Sequence, residues 1–487
     1  MKKQLYVLVA LVISATMILT ACGAAATTAA PATAAPATVA APAGKVLIRW
    51  TIGLGTGSDP AQVPIENAVV ADFNKSQDKI FLVDEIIPNA SGRDTVSTEI
   101  AAGAAADILG PVGWIGSNAF KGQWLDLAPY IKASNYDTSK FDPALAKSYQ
   151  TDEGTVGFPF AVYPSAFFYN TGLFTEAGLN PLPAKYGDQY KMPDGSMVAW
   201  DWKAVAQVAK LLTIDKAGKN STQAGFDATN IVQYGFSFGY EGHPNYWAAF
   251  MSPGGALLVP GGSKGSYAAK IPDMWKTAWQ WVYDGMWGAQ PYIPVDAVSS
   301  TADWGSGNPF NSGKVGMMDN PSWILCCMGN LTKAGGKFEL GTMPVSLDGK
   351  TVAGRVDADT FRVWKGTKHP AEAFTVLVYL IDPGIQKLVV GSAKTPPAYG
   401  AVPGVAALRG PWLATEQANF PFVKNWQTLL DGLNYPDVPS AEGYTPNVND
   451  MWARVQTFGG LMGSTKGLDM AAQEATLESD LTTIFNK

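Results

Sequence analysis

The segment Gly261-Gly262-Ser263-Lys264-Gly265 fits the Gly-x-Ser-x-Gly pattern of a nucleophilic serine. Such a serine stands on a sharp turn between a strand and a helix. Here Pro260 precedes the segment and Gly265-Ser266 follows it, which predicts a surface loop instead. The sequence has neither a His-Glu-x-x-His pair nor a phosphate-binding loop. The paired carboxylates of a glycosidase, about 5 to 10 Å apart, have no sequence signature, so that alternative stays open although we expect no enzyme.

Cysteine and histidine are scarce in this chain, which has three Cys and two His. Zinc sites use spaced ligands such as Cys-x-x-Cys, whereas Cys326 and Cys327 are adjacent and His243 and His369 lie far apart. The two cysteines allow either a vicinal disulfide or a pair of small buried side chains, and we favour the second. We predict no metal and no cofactor.

Aromatic residues are abundant, with 16 Trp, 18 Tyr and 21 Phe. Trp275, Trp279, Val282 and Tyr283 recur at helical spacing and predict a buried helix face. Aromatic residues in loops suit ligand binding, because sugar rings have apolar faces that stack on them and hydroxyl groups that bond to carboxylates and amides. Aromatic cages also hold cations such as polyamines, so the composition alone does not decide the ligand.

The first 22 residues resemble a bacterial lipoprotein signal. Lys2 and Lys3 precede an apolar segment, Leu5 to Leu19, which runs into Thr20-Ala21-Cys22. A basic start, a short apolar core and small residues before the cut are typical of a secretory signal. About 20 apolar residues are needed to span a bilayer, which disfavours a signal-anchor helix. The resemblance implies a signal peptide over 1–21, acylation of Cys22, and a protein anchored by lipid outside the cytoplasm.

The residues after Cys22 are mostly Ala, Thr and Pro without charge, which predicts a disordered linker over 22–44. The whole chain has a formal net charge of −6, and loss of Lys2 and Lys3 with the signal leaves about −8. An acidic chain without a basic run does not favour nucleic acid as a partner. The length of the remaining chain favours two domains.

Strand and helix patterns alternate at the start of the body. Val46 to Ile52 alternates as a half-buried strand, and a helical pattern follows over 65–73. A strand over 80–87, a helix capped by Ser91 and a strand over 107–109 continue the series. This alternation predicts an α/β fold with a largely parallel sheet.

The chain closely resembles the extracellular solute-binding proteins of sugar ABC importers, relatives of the maltodextrin-binding proteins, over nearly all of residues 45–487. The resemblance depends on ordered motifs: Ala101 to Leu109, Gly157-Phe158-Pro159-Phe160, Phe167-Phe168-Tyr169-Asn170, Leu173 to Leu179, Phe310 to Met317 with Asn320-x-x-Trp323, and His369 to Phe374 with Leu380-x-x-Pro383-x-x-Gln386. Two features depart from the family pattern, a long connection over Lys185 to Ala199 and the Cys326-Cys327 pair.

The resemblance implies a two-lobed periplasmic-binding-protein-like fold, in which each lobe is a mixed, mostly parallel sheet flanked by helices and a hinge joins the lobes. Crossings near Phe158, Trp323 and Ile381 would give lobe 1 as 45–157 and 324–381, and lobe 2 as 158–323 and 382–487. It also implies a monomer that captures a mono- or oligosaccharide and delivers it to an ABC permease. A polyamine or another small solute is the alternative ligand.

Candidate ligand-binding residues combine this resemblance with chemistry. The aromatic candidates lie in loops or at strand ends, and the polar candidates lie near them: Trp114, Tyr246, Trp247, Trp323 and Trp452, then Ser58, Asp59, Asn320, Asp357 and Asp359. We expect Trp323 to be a stacking platform for a sugar ring, because it directly follows a predicted strand at an expected crossing between the lobes.

Overall fold

The computed structural model describes residues 40–239, 242–252, 255–437 and 440–487. The predicted signal peptide, Cys22 and nearly all of the predicted linker lie outside the described residues. Pro42–Lys487 forms one compact unit. Its strands are β1 Val46–Ile52, β2 Ile80–Ile86, β3 Ile108–Val112, β4 Gln150–Thr151, β5 Gly154–Thr155, β6 Ala161–Asn170, β7 Gln189–Lys191, β8 Met197–Ala199, β9 Ile214–Asp215, β10 Ile231–Ser237, β11 Val315–Pro321, β12 Phe338–Gly341, β13 Val356–Val363 and β14 Val402–Pro403.

The α-helices are α1 Val63–Ser76, α2 Asn89–Ala101, α3 Trp114–Ala119, α4 Ala128–Ser134, α5 Pro143–Lys147, α6 Thr171–Glu176, α7 Trp202–Leu212, α8 Pro244–Met251, α9 Asp273–Trp287, α10 Asp296–Ser299, α11 Gly329–Lys333, α12 Pro370–Ile381, α13 Arg409–Asn419, α14 Trp426–Asp431, α15 Ala441–Tyr444, α16 Val448–Ser464 and α17 Met470–Phe485. A 3₁₀ helix over Ser322–Cys327 follows β11 directly.

One mixed sheet runs through the compact unit in the order β2-β1-β3-β13-β6-β11-β10-β9, and β12 and β14 also pair with β6. β1 is parallel to β2 and β3, and β10 is parallel to β11. All four partners of β6 are antiparallel to it. The prediction of an α/β fold with a mixed sheet is therefore confirmed. The parallel pairing expected of the first strands holds for β1, β2 and β3, but most pairs in the whole sheet are antiparallel, because β6 runs against all four of its partners.

Strands β6 and β13 each belong to two parts of the sheet. The first half of β13 pairs with the first half of β6, from Val356↔Pro164 to Asp359↔Ala161, and the second half of β13 pairs with β3. The second half of β6 pairs with β11 and β12. These two strands are therefore the continuous backbone connection between the β1–β3 side of the sheet and the β10–β12 side.

The described residues pack into four apolar clusters. The first core includes Ile48, Leu82, Phe361 and Leu377. The second includes Trp202, Trp279, Phe458 and Leu481. The third includes Phe168, Phe338, Trp412 and Trp426, and the fourth includes Val96, Leu109 and Trp124. Strand β6 is buried at all 10 positions, because it contributes side chains to the first three cores.

The packing differs from the expected lobe boundaries in two stretches. Ile324 and Phe338, expected in lobe 1, pack in the third core with Phe168, since β12 pairs with the second half of β6. Leu388 and Tyr399, expected in lobe 2, pack in the first core. The lobe boundaries stay a prediction, and this packing would move them towards β13 and past residue 400.

Helix caps and apolar periodicity in the sequence predicted most helices and strands near their observed bounds. Asp201 Oδ1 accepts hydrogen bonds from the backbone N–H groups of Lys203 and Ala204, at 3.0 and 2.9 Å, and so caps α7. Ser91 was expected to cap α2, but Pro88 is its N-cap and the Ser91 hydroxyl donates to the Pro88 carbonyl. The predicted helix face of Trp275, Trp279, Val282 and Tyr283 is buried in the second core, as predicted.

Two segments could be mistaken for functional motifs in the sequence, the turn that contains Ser263 and the apolar segment Pro370–Val390. Ser263 lies on an exposed turn and not between a strand and a helix, so the predicted surface loop is confirmed. Residues Pro370–Val390 are long and apolar enough to cross a membrane by composition, yet 61% of that window is buried inside the protein. That burial is typical of a core helix.

Candidate ligand-binding cleft

A cleft of about 690 Å³ opens next to the carboxyl ends of β1 and β3. Ligands in open α/β sheets bind outside the carboxyl ends of the strands, so this is the expected place for a site. Its principal walls come from the loops after β1 and β3, the start of α2, strands β6 and β13, the 3₁₀ helix and α16. The lining includes Gly55, Thr56, Gln62, Asn89, Arg93, Trp114, Tyr163, Tyr246, Trp323, Cys326, Arg355, Asp357, Asp359, Glu442, Trp452 and Gln456.

Asp359 is held by the two loops that follow β1 and β3. The backbone N–H of Thr56 donates to Asp359 Oδ2 at 3.3 Å. A Cβ atom on Gly55 would lie 2.6 Å from Asp359 Oδ2, and one on Gly113 would lie 2.9 Å from Oδ1. The absence of side chains at these two glycines therefore lets both loops close around the carboxyl group.

Arg355 joins the carboxyl groups of the cleft. Its Nε donates to Asp357 Oδ1 at 2.9 Å and its Nη2 lies 2.8 Å from Asp357 Oδ2. Such a two-point pair fixes both side chains in one orientation. The same Nη2 lies 3.8 Å from Glu442 Oε1, so Arg355 connects strand β13 to helix α15.

Burial sets the protonation of these carboxyl groups. Burial, together with the nearby charge of Asp357, raises the pKa of Asp359 to about 7. Burial also raises the pKa of Asp357 and of Glu442, and Arg355 opposes both shifts. The cleft thus has three carboxyl groups whose ionisation a hydrogen-bonding or cationic ligand would change.

Tyr246 and Trp452 form an aromatic wall on α8 and α16. The guanidinium carbon of Arg355 lies 3.3 Å from the ring centroid of Tyr246. The rings of Tyr246 and Trp452 are 5.1 Å apart, and His243 stacks on Trp452 at 3.6 Å with an interplanar angle of 9°. Burial lowers the pKa of His243 to about 3, so this imidazole is neutral and supports Trp452 without adding charge.

Trp114 and Trp323 are half-buried aromatic side chains on other walls of the cleft. Trp114 stacks on Tyr149 with ring centroids 5.9 Å apart, and its indole N–H donates to the Val356 carbonyl at 3.4 Å. Trp323 lies in the 3₁₀ helix immediately after β11 and packs against the first and third cores. The cleft therefore combines aromatic rings with carboxyl and guanidinium groups.

The structure brings six predicted site residues to this cleft: Trp114, Tyr246, Trp323, Asp357, Asp359 and Trp452. Trp247 and Asn320 do not line it. Trp247 is 2% exposed in the second core, and Asn320 is fully buried with its Nδ2 donating to the Phe238 carbonyl at 3.1 Å. Both expectations need correction, because adjacent helix positions face different ways and β11 is buried on both faces.

Ser58 and Asp59 lie beside the cleft lining rather than in it. Asp59 is exposed, and its Oδ1 accepts a hydrogen bond from Ala61 N at 2.8 Å. Gln62 lines the cleft instead, and its Oε1 accepts from Gly57 N at 2.9 Å and from Asp59 N at 3.2 Å. The two predicted residues thus belong to the loop that places Gln62.

Several lining residues were not among the sequence candidates, namely Arg93, Tyr163, Arg355 and Glu442. Strand periodicity gives a signal for Arg355, since it precedes Asp357 by two positions and so shares its face. Glu442 has no local signal, because a distant segment brings it to the cleft. Cys326 also lines the cleft and is exposed, so the expectation of a buried cysteine pair is wrong for Cys326; both cysteines are unbridged in the structure.

A sequence profile described as bacterial extracellular solute-binding protein matches residues 68–421. The chain belongs to this family. Membership implies a location outside the cytoplasm. No curated protein sequence matches the chain.

Solved structures of similar fold include an ABC substrate-binding protein from Listeria monocytogenes in complex with cycloalternan, with 17% identity, a TM-score of 0.64, and coverage of 90% of this chain and 98% of that one. A maltose/maltodextrin-binding domain from Bdellovibrio bacteriovorus bound to maltotriose has 17% identity, a TM-score of 0.62 and coverage of 89% and 99%. The GacH receptor of Streptomyces glaucescens, solved unliganded and with acarbose, has 17% identity, a TM-score of 0.61 and coverage of 90% and 99%. These likenesses establish the two-lobed periplasmic-binding-protein-like fold.

Proposed function

We propose that this solute-binding protein captures a mono- or oligosaccharide in the 690 Å³ cleft and delivers it to an ABC permease. The observation that carries the proposal is the meeting of Trp114, Trp323 and Trp452 with Asp357 and Asp359 in one cleft. Aromatic faces match the apolar faces of sugar rings, and the carboxyl groups match the hydroxyl edges. The sugar-bound structures of similar fold support the same ligand class.

The test is a thermal-shift panel of mono- and oligosaccharides followed by calorimetry on each compound that raises the melting temperature. A ligand that binds only the folded state stabilises it by mass action, by about 2.7 kcal/mol at a hundredfold excess over Kd. We expect at least one sugar to bind one-to-one. A panel without any sugar that binds would contradict the proposal.

A polyamine is the second candidate ligand. The cleft has three carboxyl groups, and Arg355 is already paired with Asp357. Aromatic rings attract organic cations as well as sugars. Spermidine and putrescine belong in the same thermal-shift panel, and stabilisation by them alone would favour this candidate over a carbohydrate.

Closure of two lobes around the ligand is part of the proposal. The lobes would rotate about β6 and β13, the two strands shared by both sides of the sheet. Small-angle scattering with saturating ligand should give a smaller radius of gyration than without ligand. An unchanged radius would contradict closure while leaving ligand binding intact.

We further propose that Cys22 carries a lipid anchor that holds the protein outside the cytoplasm. The Leu19-Thr20-Ala21-Cys22 sequence is the observation that supports this. Membrane fractionation of Cys22→Ser is the test, and we expect the variant to move to the soluble fraction. A variant as membrane-bound as the unaltered chain would rule out the anchor.

A further inference from the structure

A second cavity, of about 780 Å³, lies behind strand β13. Val356 and Ala358 line this cavity, whereas Asp357 and Asp359 line the ligand-binding cleft. Successive side chains of a strand point to opposite faces, so β13 is a wall between the two spaces. We call the second space the rear cavity.

The rear cavity is enclosed by elements from both sides of the sheet. Leu145 belongs to α5, in which the next residue, Ala146, packs against the first core. Leu430 and Asp431 belong to α14, in which Leu430 packs against the third core. The remaining wall comes from Leu433, Asn434, Pro436, Asp437, Ser440, Gly443 and Tyr444. A molecule bound here would therefore contact both parts of the protein that β6 and β13 connect.

The lining combines aliphatic, aromatic and acidic side chains. Val356, Ala358, Leu145, Leu430 and Leu433 supply aliphatic surface, and Trp114 and Tyr444 supply aromatic rings. A volume of several hundred Å³ with mainly apolar walls and a few polar groups is typical of small-molecule sites.

The charges of the rear cavity are mostly negative. Asp142, Asp431 and Asp437 face a single arginine, Arg409. The nearby charge of Asp142 favours the ionised form of Arg409, while burial lowers its pKa. Asp431 remains as an acidic group that a ligand cation would meet, and Asp437 joins it above the pH at which its buried carboxyl group ionises.

Asp437 is hydrogen-bonded to β13, the strand that separates the rear cavity from the ligand-binding cleft. Its Oδ1 accepts a hydrogen bond from Val356 N at 3.2 Å. Burial raises the pKa of Asp437 to about 8; Arg355 opposes this shift, and Asp357 and Glu442 add to it. Tyr444 is a further titratable group near Asp437.

We propose that the rear cavity is a second ligand site, for a small amphipathic amine whose apolar body packs on Val356, Ala358 and Leu430 and whose ammonium group faces Asp431 and Asp437. The site itself does not depend on the proposed sugar binding. The coupling between this site and the cleft does depend on sugar binding. A rotation about β13 that narrows the cleft would widen the rear cavity, and a bound amine would then lose contact with one wall. We therefore expect the amine to weaken sugar binding, and the sugar to weaken amine binding by the same factor.

Tryptamine is the probe, and tryptophol, which has a hydroxyl group in place of the amine, is its neutral counterpart. Calorimetry on the full chain should show tryptamine binding at least tenfold more tightly than tryptophol at pH 9, where Asp437 is ionised and the ammonium group still holds its proton. Asp437→Asn should reduce the tryptamine affinity at least tenfold. Equal affinities for the two probes, or no tryptamine binding, would overturn the proposal.

Gly443→Phe tests the location. Gly443 lines the rear cavity, and a Cβ at this position meets no atom within 4 Å, so a larger side chain starts from open space next to the cavity. Gly410→Phe on α13 is the matched control, since its Cβ also meets no atom within 4 Å and Gly410 is exposed outside both spaces. Tryptamine binding should fall at least tenfold in Gly443→Phe and stay unchanged in Gly410→Phe.

The remaining outcomes distinguish this site from the cleft. Tryptamine that binds Gly443→Phe normally, or that is displaced one-for-one by the identified sugar, would place the amine in the cleft and overturn the proposal. A several-fold mutual weakening, with both ligands bound at saturation, supports it. A third outcome is that the protein binds no sugar but binds tryptamine, and that Gly443→Phe weakens this binding. That result would support the rear site and contradict only the proposed function.

Discussion

At the scale of single residues, Arg355 joins three other residues of the cleft lining. It pairs with Asp357, approaches Glu442 and covers the ring of Tyr246. A buried ion pair is weak evidence for stability as a whole, but removing one partner leaves an uncompensated charge. The importance of Arg355 therefore lies in keeping two carboxyl groups oriented towards the ligand.

We predict that Arg355→Met lowers the free energy of unfolding by about 3 to 5 kcal/mol at pH 7 and abolishes measurable sugar binding. Urea denaturation and calorimetry provide the two measurements. Lys121→Met is the control, because the Lys121–Asp152 pair is exposed at 59% and 68% of its side chains and contributes little. Normal affinity in Arg355→Met would show that the guanidinium has no role in the site.

A second residue-scale prediction concerns Trp323 and Trp247. Stacking of a sugar on Trp323 would bury an assumed ~80 Å², or roughly 2 kcal/mol, so Trp323→Ala should weaken binding about thirtyfold. Trp247 is 2% exposed in the second core, and Trp247→Ala should instead lower stability by about 3 to 5 kcal/mol. Calorimetry and thermal unfolding on both variants separate the roles; a destabilised Trp323→Ala with near-normal affinity would make Trp323 a core residue.

The sequence predicted which segments contribute residues to the cleft more readily than it predicted side-chain direction. Trp323 was recognisable because it follows a predicted strand, whereas Trp452, which lies inside α16, was a candidate through the resemblance to the family. Tyr246 and Trp247 are neighbours on a short helix, and only the packing of α8 against the second core decides that Tyr246 faces the cleft. Asn320 lies on a strand buried on both faces, where period-two alternation no longer separates a ligand side from a core side.

At the scale of elements, the loop between β1 and α1 shapes the cleft through its glycines. Gly55→Ala would place a Cβ 2.6 Å from Asp359 Oδ2 and 2.8 Å from the Pro111 carbonyl. Because the Pro111 backbone cannot move easily, we expect Asp359 to shift and to lose the hydrogen bond from Thr56 N.

The predicted result for Gly55→Ala is at least a tenfold loss of sugar affinity and a loss of about 1 to 3 kcal/mol of stability. Gly460→Ala on α16 is the matched control, since its added Cβ meets no atom within 4 Å. Calorimetry and urea denaturation on the two variants test this. Unchanged affinity in Gly55→Ala would mean that the position of Asp359 does not matter to the ligand.

Element boundaries were largely predictable, whereas strand pairing was not. Apolar periodicity identified β1, β2 and α12 because those signals are local. The antiparallel pairing of β6 with β11, β12, β13 and β14 joins residues far apart in sequence, so no local pattern encodes it. For the same reason, the packing of β12 differs from the predicted crossing near Trp323.

At the scale of the whole molecule, buried carboxyl groups make stability depend on pH. Burial raises the pKa of Glu66, Asp359 and Glu416 to about 7. In the unfolded chain these groups ionise near pH 4. Between about pH 4 and 7 the folded protein therefore binds more protons than the unfolded chain, and each group lowers stability by about 1.4 kcal/mol per pH unit as pH rises.

We predict that the free energy of unfolding falls from pH 5 to pH 8 and then levels off, since Asp437, with a pKa of about 8, extends the range. Urea denaturation at half-unit steps of pH measures the slope. Glu416→Gln should make the slope shallower, since burial alone shifts its pKa and the group is 3% exposed. Stability that stays flat or increases over this range would contradict the assignment of protonated buried carboxyl groups.

Strand β6 has a consequence for how the chain is made. Its pairs Val356↔Pro164 and Val402↔Val162 join residues that leave the ribosome far apart in time. The first core stays incomplete until synthesis has passed residue 405, and contacts over such distances form slowly. A nascent chain that remains unfolded for most of its synthesis can still be translocated through a secretion channel. The late closure of the sheet thus suits a protein that works on the far side of a membrane.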